Sequence, residues 1–348
     1  MRRRTLGSLL LLIGVLLIAA GAVVMLYIVP GMKRFPDDVD VTRNYDGTLA
    51  VLLNPADFSF LNDLPVVLER HITTQATDGD LALVREEQVM RSGDQTLQSQ
   101  TKSYAIDRKT MEAVTSGYPD AWANEPGFWP REGLVIGWPI DTEAKDYPGW
   151  SDDFREVVTL VYDGEVTHDR GDITTYHYTA SSEARPIVPE AVQAMGLPLA
   201  LPQDTLMTLI GQTDLPAIVQ TALPALLERW EGDVPLEYYY AYEAEYWVEP
   251  KTGVLIDTRK HEVRSVGLGA ELLEGSPLAN LPEEQRAALR VPVFDLTYQA
   301  TDQSVQDAKA DAEDNINRIN LYGTYLPIGA IVVGILLALI GLVRIIFG

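Results

Sequence analysis

Residues 6–29, LGSLLLLIGVLLIAAGAVVMLYIV, and residues 325–343, YLPIGAIVVGILLALIGLV, are long apolar segments near the two ends of the chain. Neither contains a charged side chain. About 20 apolar residues, at a rise of 1.5 Å each, cross the hydrocarbon core of a bilayer. The sequence therefore predicts two transmembrane helices, at 6–29 and 325–347, with the lipid bilayer as a partner of the protein.

The arginines beside these segments predict their orientation. Arg2, Arg3 and Arg4 precede the first segment and Arg344 lies near the end of the second, and cytoplasmic flanks are enriched in such residues. We expect residues 1–5 to be a cytoplasmic tail, both termini to be cytoplasmic, and the intervening chain to lie outside the plasma membrane. The alternative is a signal peptide cleaved near Ala20-Gly21-Ala22, although the apolar run continues beyond the length of an ordinary signal core.

Charge and cysteine content exclude several classes of protein. The chain holds 50 acidic and 27 basic residues, a net charge of −23, and all the acidic ones lie between the two apolar segments. Such a surface repels nucleic acid, so we expect no nucleic-acid partner. There is no cysteine, which excludes disulfides and thiolate metal sites.

The segment between the predicted spans reads mainly as strands, with apolar, β-branched and aromatic residues bounded by turn residues. The clearest candidates are 48–53, 81–84, 157–162 and 236–248, and Asp163-Gly164 and Arg170-Gly171-Asp172 are predicted turns. We expect a membrane-anchored α+β protein, in which two transmembrane helices flank a large β-rich extracytoplasmic domain at 30–300 with a helical insert.

The helical insert is predicted at 188–230, where apolar residues recur at helical spacing between prolines. Such a face is either part of the core or a surface for a ligand or partner. The candidate surface consists of Leu206, Leu209, Ile210, Leu223, Leu227 and Trp230.

Two further elements of organisation are predicted. Residues 301–322 form a polar helix with a narrow apolar stripe, placed as a stalk before the second span. Residues 104–114 align with 246–256 in an aromatic strand, an acidic-x-Lys-Thr turn and a second strand. Either two β repeats, at 42–145 and 154–268, or a chance likeness of two hairpins accounts for this match.

Small residues follow one face of each predicted span. Small side chains let transmembrane helices approach closely, so we expect the spans to pack on each other or on a second copy in a homo-oligomer. The candidate packing face consists of Gly7, Gly14, Gly21, Gly334, Ala338 and Gly341.

No recognised catalytic motif is present, and the chain contains only four histidines. His168 and His177 are a conceivable metal pair without a third ligand at recognisable spacing, so no metal site, cofactor or catalytic residue is predicted. Trp122, Trp129, Trp138 and Trp150 lie in one proline-rich stretch, where aromatic rings either contact a ligand or anchor irregular backbone onto a β core.

The stretches 137–150, 161–165, 174–178 and 246–253, together with the terminal spans, carry a resemblance to a known family. The chain resembles a bacterial, mainly actinobacterial, family of unknown function whose members are often labelled PorA family porins. The resemblance implies a membrane protein and supplies no catalytic residues. The layout is also similar to that of scavenger-receptor-type two-pass proteins.

The outer face of the predicted strand 236–248 bears on the porin label. A transmembrane barrel needs strands of about 9–11 residues whose outward side chains are apolar. Glu237, Glu243 and Glu245 share one face of this strand, which predicts a sheet that faces water.

These observations favour a non-enzymatic protein of the cell envelope whose exterior domain binds or transfers an apolar or envelope ligand, or scaffolds a partner. The alternatives are an oligomeric, porin-like pore and an envelope hydrolase whose site the sequence does not show.

Overall fold

The structure, a computed structural model, describes residues 2–54, 59–211, 224, 226–228, 230–274, 282–287 and 289–347. Within these residues the helices are α1 (Arg2–Val23), α2 (Val29–Met32), α3 (Pro189–Ala194), α4 (Gln203–Ile210), α5 (Ala270–Leu273), α6 (Glu283–Ala287), α7 (Asp302–Asn320) and α8 (Leu326–Phe347). Single π-helical turns, Val24–Ile28 and Leu321–Tyr325, join α1 to α2 and α7 to α8.

The strands of the described residues belong to one sheet, and all but one of the pairings between neighbours are antiparallel. They are β1 (Asp40–Leu53), β2 (Phe60–Asp78), β3 (Leu81–Ser92), β4 (Gln95–Asp107), β5 (Glu112–Ala113), β6 (Gly133–Leu134), β7 (Tyr147–Ser151), β8 (Glu156–His168), β9 (Ile173–Pro186), β10 (Ala200–Leu201), β11 (Val234–Val248), β12 (Leu255–Leu268) and β13 (Val291–Ala300). The exception is β6 with β7, a parallel contact of Leu134 with Gly149.

The sheet closes on itself. Its order runs β10-β11-β12-β13-β1-β2-β3-β4-β5-β6-β7-β8-β9, and β11 also pairs with β9, from Tyr239 opposite Pro186 to Val248 opposite Tyr176. Twelve of the described strands therefore form a closed barrel, and β10 pairs with β11 beside it. Closure removes the exposed edges that an open sheet presents.

This architecture corrects the predicted fold class. The part of the chain between the long terminal helices is a closed β-barrel, and it is not an α+β domain with a helical insert. The described part of 188–230 contains the short helices α3 and α4 and strand β10, and Leu201 of β10 pairs with Val234 of β11. An aliphatic face at helical spacing predicted helix here, and its described members Leu206 and Leu227 lie in the same hydrophobic core as Val234 of β11.

Two of the predicted turns have different outcomes. Asp169–Asp172 is a turn between β8 and β9, which confirms the prediction for Arg170-Gly171-Asp172. The prediction for Asp163-Gly164 was wrong, because both residues lie inside β8, where the register with β9 shifts by one residue. Gly164 adopts a φ of +130°, so it allows a bulge here without ending the strand.

The wall of the barrel has one thin region. Strand β4 pairs with β5 only through Ile106 and Ala113, and β5 and β6 are two residues each. Irregular chain carrying the tryptophan-rich stretch covers this region between β4 and β7. The loop contacts this edge of β4 at Ser103, which forms a single bridge with Phe128 and whose backbone N–H donates to the Gly127 carbonyl oxygen at 3.3 Å.

One row of outward residues across the barrel wall is mostly polar. Residues opposite one another across eight strands form this row, in which Val161 and Val67 are the apolar members, and the row consists of Val161, Thr179, Glu245, Arg259, Gln299, Asp46, Val67 and Arg91. The adjacent row, which includes Lys260 and Tyr298, faces the interior. A barrel embedded in lipid carries an apolar band about 25 Å tall on its outside. This row does not form such an apolar band.

Candidate functional site

The interior of the barrel contains a cavity of about 320 Å³. Ligand pockets in proteins typically span roughly 300–1,000 Å³. The cavity is lined by tyrosines, charged side chains and a smaller number of apolar groups, which include Tyr240, Tyr242, Tyr246, Lys260, Glu262 and Arg264. This chamber is the candidate functional site.

Glu86 on β3 is the centre of one buried polar cluster in the cavity wall. Its carboxylate forms an ion pair with Arg70 on β2 and accepts hydrogen bonds from Tyr104 on β4 and from Gln88 Nε2 at 2.7 Å. Burial alone raises the pKa of Glu86, but Arg70, Lys102 and the Tyr104 hydroxyl outweigh it and lower that pKa to about 2. Glu86 is therefore a carboxylate at neutral pH, although it is almost fully buried.

A second cluster surrounds Glu262 on β12. Glu262 accepts hydrogen bonds from Lys260 Nζ at 3.0 Å and from the Tyr240 hydroxyl at 2.8 Å. Arg264 lies beside them and forms a two-pronged ion pair with Asp153, at 2.8 and 3.0 Å. Burial opposes ionisation of Glu262, but Lys260 and Arg264 lower its pKa to about 2, and Glu262 in turn keeps the pKa of Lys260 well above its ordinary value against the effect of burial.

A third cluster bridges the thin region of the wall. Asp152, just after β7, binds Lys102 on β4 at 2.8 Å and Arg131 Nε at 2.9 Å. The Arg131 guanidinium also donates to the Ser103 carbonyl oxygen at 3.2 Å and lies over the ring of Trp129, 4.1 Å from its centre. These contacts join β4 to the chain after β7, where backbone pairing is nearly absent.

Apolar residues lie on both sides of the charged layer. Along β11 the layer is level with Tyr240 and Tyr242, whereas Val234 and Leu236 precede it and Tyr246 and Val248 follow it, all in one hydrophobic core. The cavity is thus a polar chamber between two apolar regions of the same lumen.

The tryptophan-rich stretch contributes directly to this site. Trp138 and Trp150 line the cavity, and Trp150 Nε1 donates to Asp152 at 3.0 Å. Trp122 belongs to a separate core with Leu83 and Ala105. Trp122 therefore anchors irregular backbone onto a β core, whereas ligand contact by Trp138 and Trp150 stays a prediction.

The predicted ligand surface falls partly outside the described side chains. Leu206 and Leu227 are buried in the main hydrophobic core, and Trp230 packs against that core while its Nε1 donates to the Asp233 carbonyl oxygen at 2.9 Å. The side chains of Leu209, Ile210 and Leu223 lie outside the described residues. The structure brings the described members together beside α3 and β10 and not around the polar chamber.

The small residues of the spans lie where α1 and α8 meet. A Cβ built on Gly14 stands 2.5 Å from the Gly334 carbonyl oxygen and 2.9 Å from Ala338 Cβ. At Gly7 and Gly341 it stands 2.9 Å from the Gly341 carbonyl oxygen and 2.6 Å from the Gly7 carbonyl oxygen, respectively. At Gly21 it stands 2.8 Å from the carbonyl oxygen of Pro327. No larger side chain fits these positions at this helix separation.

The histidines bind carboxylates in the structure. His168 lies 3.0 Å from Asp257, His177 lies 3.1 Å from Asp163, and both rings contact Trp247. In the part of the chain that the structure describes, no group of three or more histidine, aspartate and glutamate side chains is placed to hold a metal ion.

Sequence reasoning missed the charged layer itself. Lys260, Glu262 and Arg264 alternate along β12 with outward residues, and Tyr240 and Tyr242 do the same along β11. The period of two was present in the sequence, but it does not show which face of a strand turns inward.

The chain matches the family model described as Porin PorA over residues 6–343. The chain belongs to the PorA porin family. No curated protein matches it. Two helical segments, Arg4–Met32 and Asp302–Phe347, are long and apolar enough to cross a membrane. Family membership and these helices together indicate a membrane location, and the closed barrel provides the enclosed lumen that a porin family implies.

Proposed function

We propose that this protein acts as a non-enzymatic, porin-like passage, in which small molecules of the cell envelope move through the lumen of a β-barrel held at a bilayer surface. The observation that carries the proposal is the closed barrel around a 320 Å³ chamber lined by ionised side chains. Buried ion pairs are costly to maintain compared with apolar packing, so a charged chamber inside a domain is a candidate for function.

The location of the passage follows from the outer wall. The outward row that contains Glu245, Arg259 and Asp46 is unsuited to lipid, whereas α1 and α8 expose apolar side chains around most of their circumference. We therefore assign the bilayer crossing to α1 and α8, with both termini cytoplasmic, and place the barrel in the water outside. The passage then lies in the water outside the bilayer, and the barrel itself does not cross the lipid.

A second candidate, retention of an apolar or envelope ligand in the lumen, is favoured by the apolar regions that flank the charged layer. A molecule with a polar group and apolar parts on either side matches that order of surfaces. Passage and retention use the same chamber and differ in whether the occupant leaves it.

Single cysteines test access to the chamber, because the natural chain contains none. Gln88→Cys places a thiol on the cavity lining, and Glu87→Cys, its neighbour on β3, is the matched outward control. We expect a small uncharged reagent, methyl methanethiosulfonate, to modify both positions and a polymer-linked maleimide to modify only the outward one. If the inner thiol resists the small reagent, the lumen is a closed core and the passage is rejected.

Conductance measurements in planar bilayers test whether the barrel crosses the membrane. We expect the reconstituted full chain to give no current steps, since the barrel does not cross lipid. Stable steps that are altered by Gln88→Cys modification would instead show that the lumen itself spans the bilayer.

A further inference from the structure

Two buried polar groups on the cavity wall have no hydrogen-bond partner among the described residues, Trp138 Nε1 and Thr258 Oγ1. Both side chains are more than nine-tenths buried, with exposed fractions of 6% each, and both line the chamber. A buried donor or hydroxyl without a partner destabilises the folded state, and most such groups in proteins are satisfied. Their presence on one cavity points to a molecule that supplies the missing partners.

The two groups border the same part of the chamber. The ring centre of Trp138 lies 5.3 Å from that of Tyr246, and Tyr246 is directly opposite Thr258 in the pairing of β11 with β12. Side chains directly opposite in such a pair have Cβ atoms about 5 Å apart. Trp138, Tyr246 and Thr258 therefore form one subsite.

The subsite is built on rigid backbone. A Cβ on Gly253, which has a φ of +71°, would lie 2.4 Å from the carbonyl oxygen of Trp138 and 2.6 Å from that of Pro139. The turn between β11 and β12 thus presses against the loop that carries Trp138, and only glycine permits that approach. The backbone that carries the Trp138 indole is therefore packed closely against this turn.

The charges of the chamber indicate a neutral ligand. Every charged side chain that lines the cavity has an ion-pair partner: Arg70 with Glu86, Lys102 with Asp152, Lys260 with Glu262, Arg264 with Asp153 and Glu69 with Arg91. An added ionic group would have to break one of these pairs. Among the deeply buried polar atoms of the described lining residues, Trp138 Nε1 and Thr258 Oγ1 are the two without a partner, and an N–H donor and a hydroxyl match the oxygens of an alcohol or ether.

We propose that Trp138 and Thr258 bind a hydroxyl-bearing, uncharged headgroup, of the sugar or polyol class, inside the barrel. The ligand oxygen accepts from Trp138 Nε1 and exchanges a hydrogen bond with Thr258, and the rings of Trp138 and Tyr246 contact its C–H face. The inference deepens the proposed function and rests on it, because it names the class of molecule that the lumen admits.

The experiment measures binding of glucose and maltose to the full chain in a detergent without a sugar headgroup, by saturation-transfer NMR. Trp138→Phe removes the N–H donor and keeps an aromatic ring, and Thr258→Val removes the hydroxyl at nearly constant shape. Thr297→Val, on the outer face of β13, is the matched control. Thermal unfolding of each variant reports whether it is folded.

We expect transfer to at least one sugar in the natural chain and in Thr297→Val, and its loss in Trp138→Phe and Thr258→Val at unchanged melting temperature. Transfer to neither sugar in the natural chain overturns the inference, as does transfer that persists in both subsite variants. The Gln88→Cys result distinguishes the two proposals. A labelled inner thiol without sugar binding leaves the passage intact and rejects this subsite, whereas an unreactive inner thiol rejects the passage itself.

Discussion

His168 Nε2 lies 3.0 Å from Asp257 Oδ2, and these two buried side chains join the β8–β9 turn to β12. His168 Nδ1 accepts a hydrogen bond from the Gly171 backbone N–H at 3.0 Å, so Nε2 carries the proton and donates to Asp257. The same carboxylate pairs with Arg170, which also donates to the Ala300 carbonyl oxygen at 2.9 Å, just before α7. The arrangement connects the barrel to the base of the helix that continues into the second span.

Loss of the Asp257 charge should weaken this connection. Burial raises the pKa of Asp257, but hydrogen bonds from His168 and Arg170 outweigh it and lower that pKa below its ordinary value. We expect Asp257→Asn to reduce the free energy of unfolding in urea by about 2 kcal/mol, the scale of a hydrogen bond to a charged group. Asp169→Asn, at an exposed neighbour of His168, should be nearly neutral, and equal losses from both variants would refute this role of Asp257.

Acid should destabilise the barrel through its lumen carboxylates. The pKa of Glu262 falls from 4.5 to about 2 on folding, so its stabilising contribution is complete above pH 4.5 and is lost as the pH falls toward 2. We expect the unfolding free energy to decline over that interval in the natural chain and less steeply in Glu262→Gln. Glu243→Gln, an exposed outward change on β11, should leave the slope unaltered.

Arg131 should control access through the thin region of the wall. Its removal breaks the contacts with Asp152 and Ser103 that join β4 to the chain after β7. We expect Arg131→Met to increase the labelling rate of an inner Gln88→Cys thiol and to cost about 2 kcal/mol of stability. Arg155→Met is the control, because Arg155 also stacks on Trp129, at 4.6 Å, but is exposed. Equal rates in the two variants would rule out an entrance at this place.

A larger side chain at Gly14 should disrupt the close packing of α1 against α8. A Cβ there already lies 2.5 Å from the Gly334 carbonyl oxygen, so Gly14→Leu must separate α1 from α8. We expect a loss of roughly 1–3 kcal/mol, the usual cost of overpacking, measured as a lower melting temperature in detergent. Gly329→Leu, where nothing lies within 4 Å, should change little, and a similar effect of both would argue against the packed pair.

Labelling of intact cells tests the topology. A cysteine at Asp94, in the β3–β4 turn, should react with a membrane-impermeant maleimide, and one at Arg4 should react only after the cells are lysed. This outcome follows from a barrel outside the bilayer and cytoplasmic termini. The reverse pattern would invert the proposed orientation, and reaction of neither position in intact cells would contradict a two-pass topology with the barrel and the termini on opposite sides.

The two acidic-x-Lys-Thr turns are an example of a feature that local sequence is enough to predict. Asp107 accepts from the backbone N–H groups of Lys109 and Thr110, and Glu249 accepts from those of Lys251 and Thr252. Both stretches form the same kind of turn, because an acidic side chain at that spacing reaches the N–H groups that follow it. The wider repeat of 42–145 and 154–268 stays a prediction, since a local turn is common to unrelated hairpins.

The sequence alone determined the features that depend on neighbouring residues: the apolar helices at both ends, the turn at Arg170-Gly171-Asp172, and the alternation along β11 that gives the strand a polar face. Only the tertiary structure decided that β11 pairs with β9 as well as with β12, since the contact with β9 joins residues 53 to 72 positions apart and closes the barrel. Closure of the barrel determines which face of each strand points inward. Glu86 and Glu262 lie on that inner face, where they are buried and form ion pairs with Arg70 and Lys260. A period of two is local, whereas the choice between inside and outside depends on where the distant strands meet.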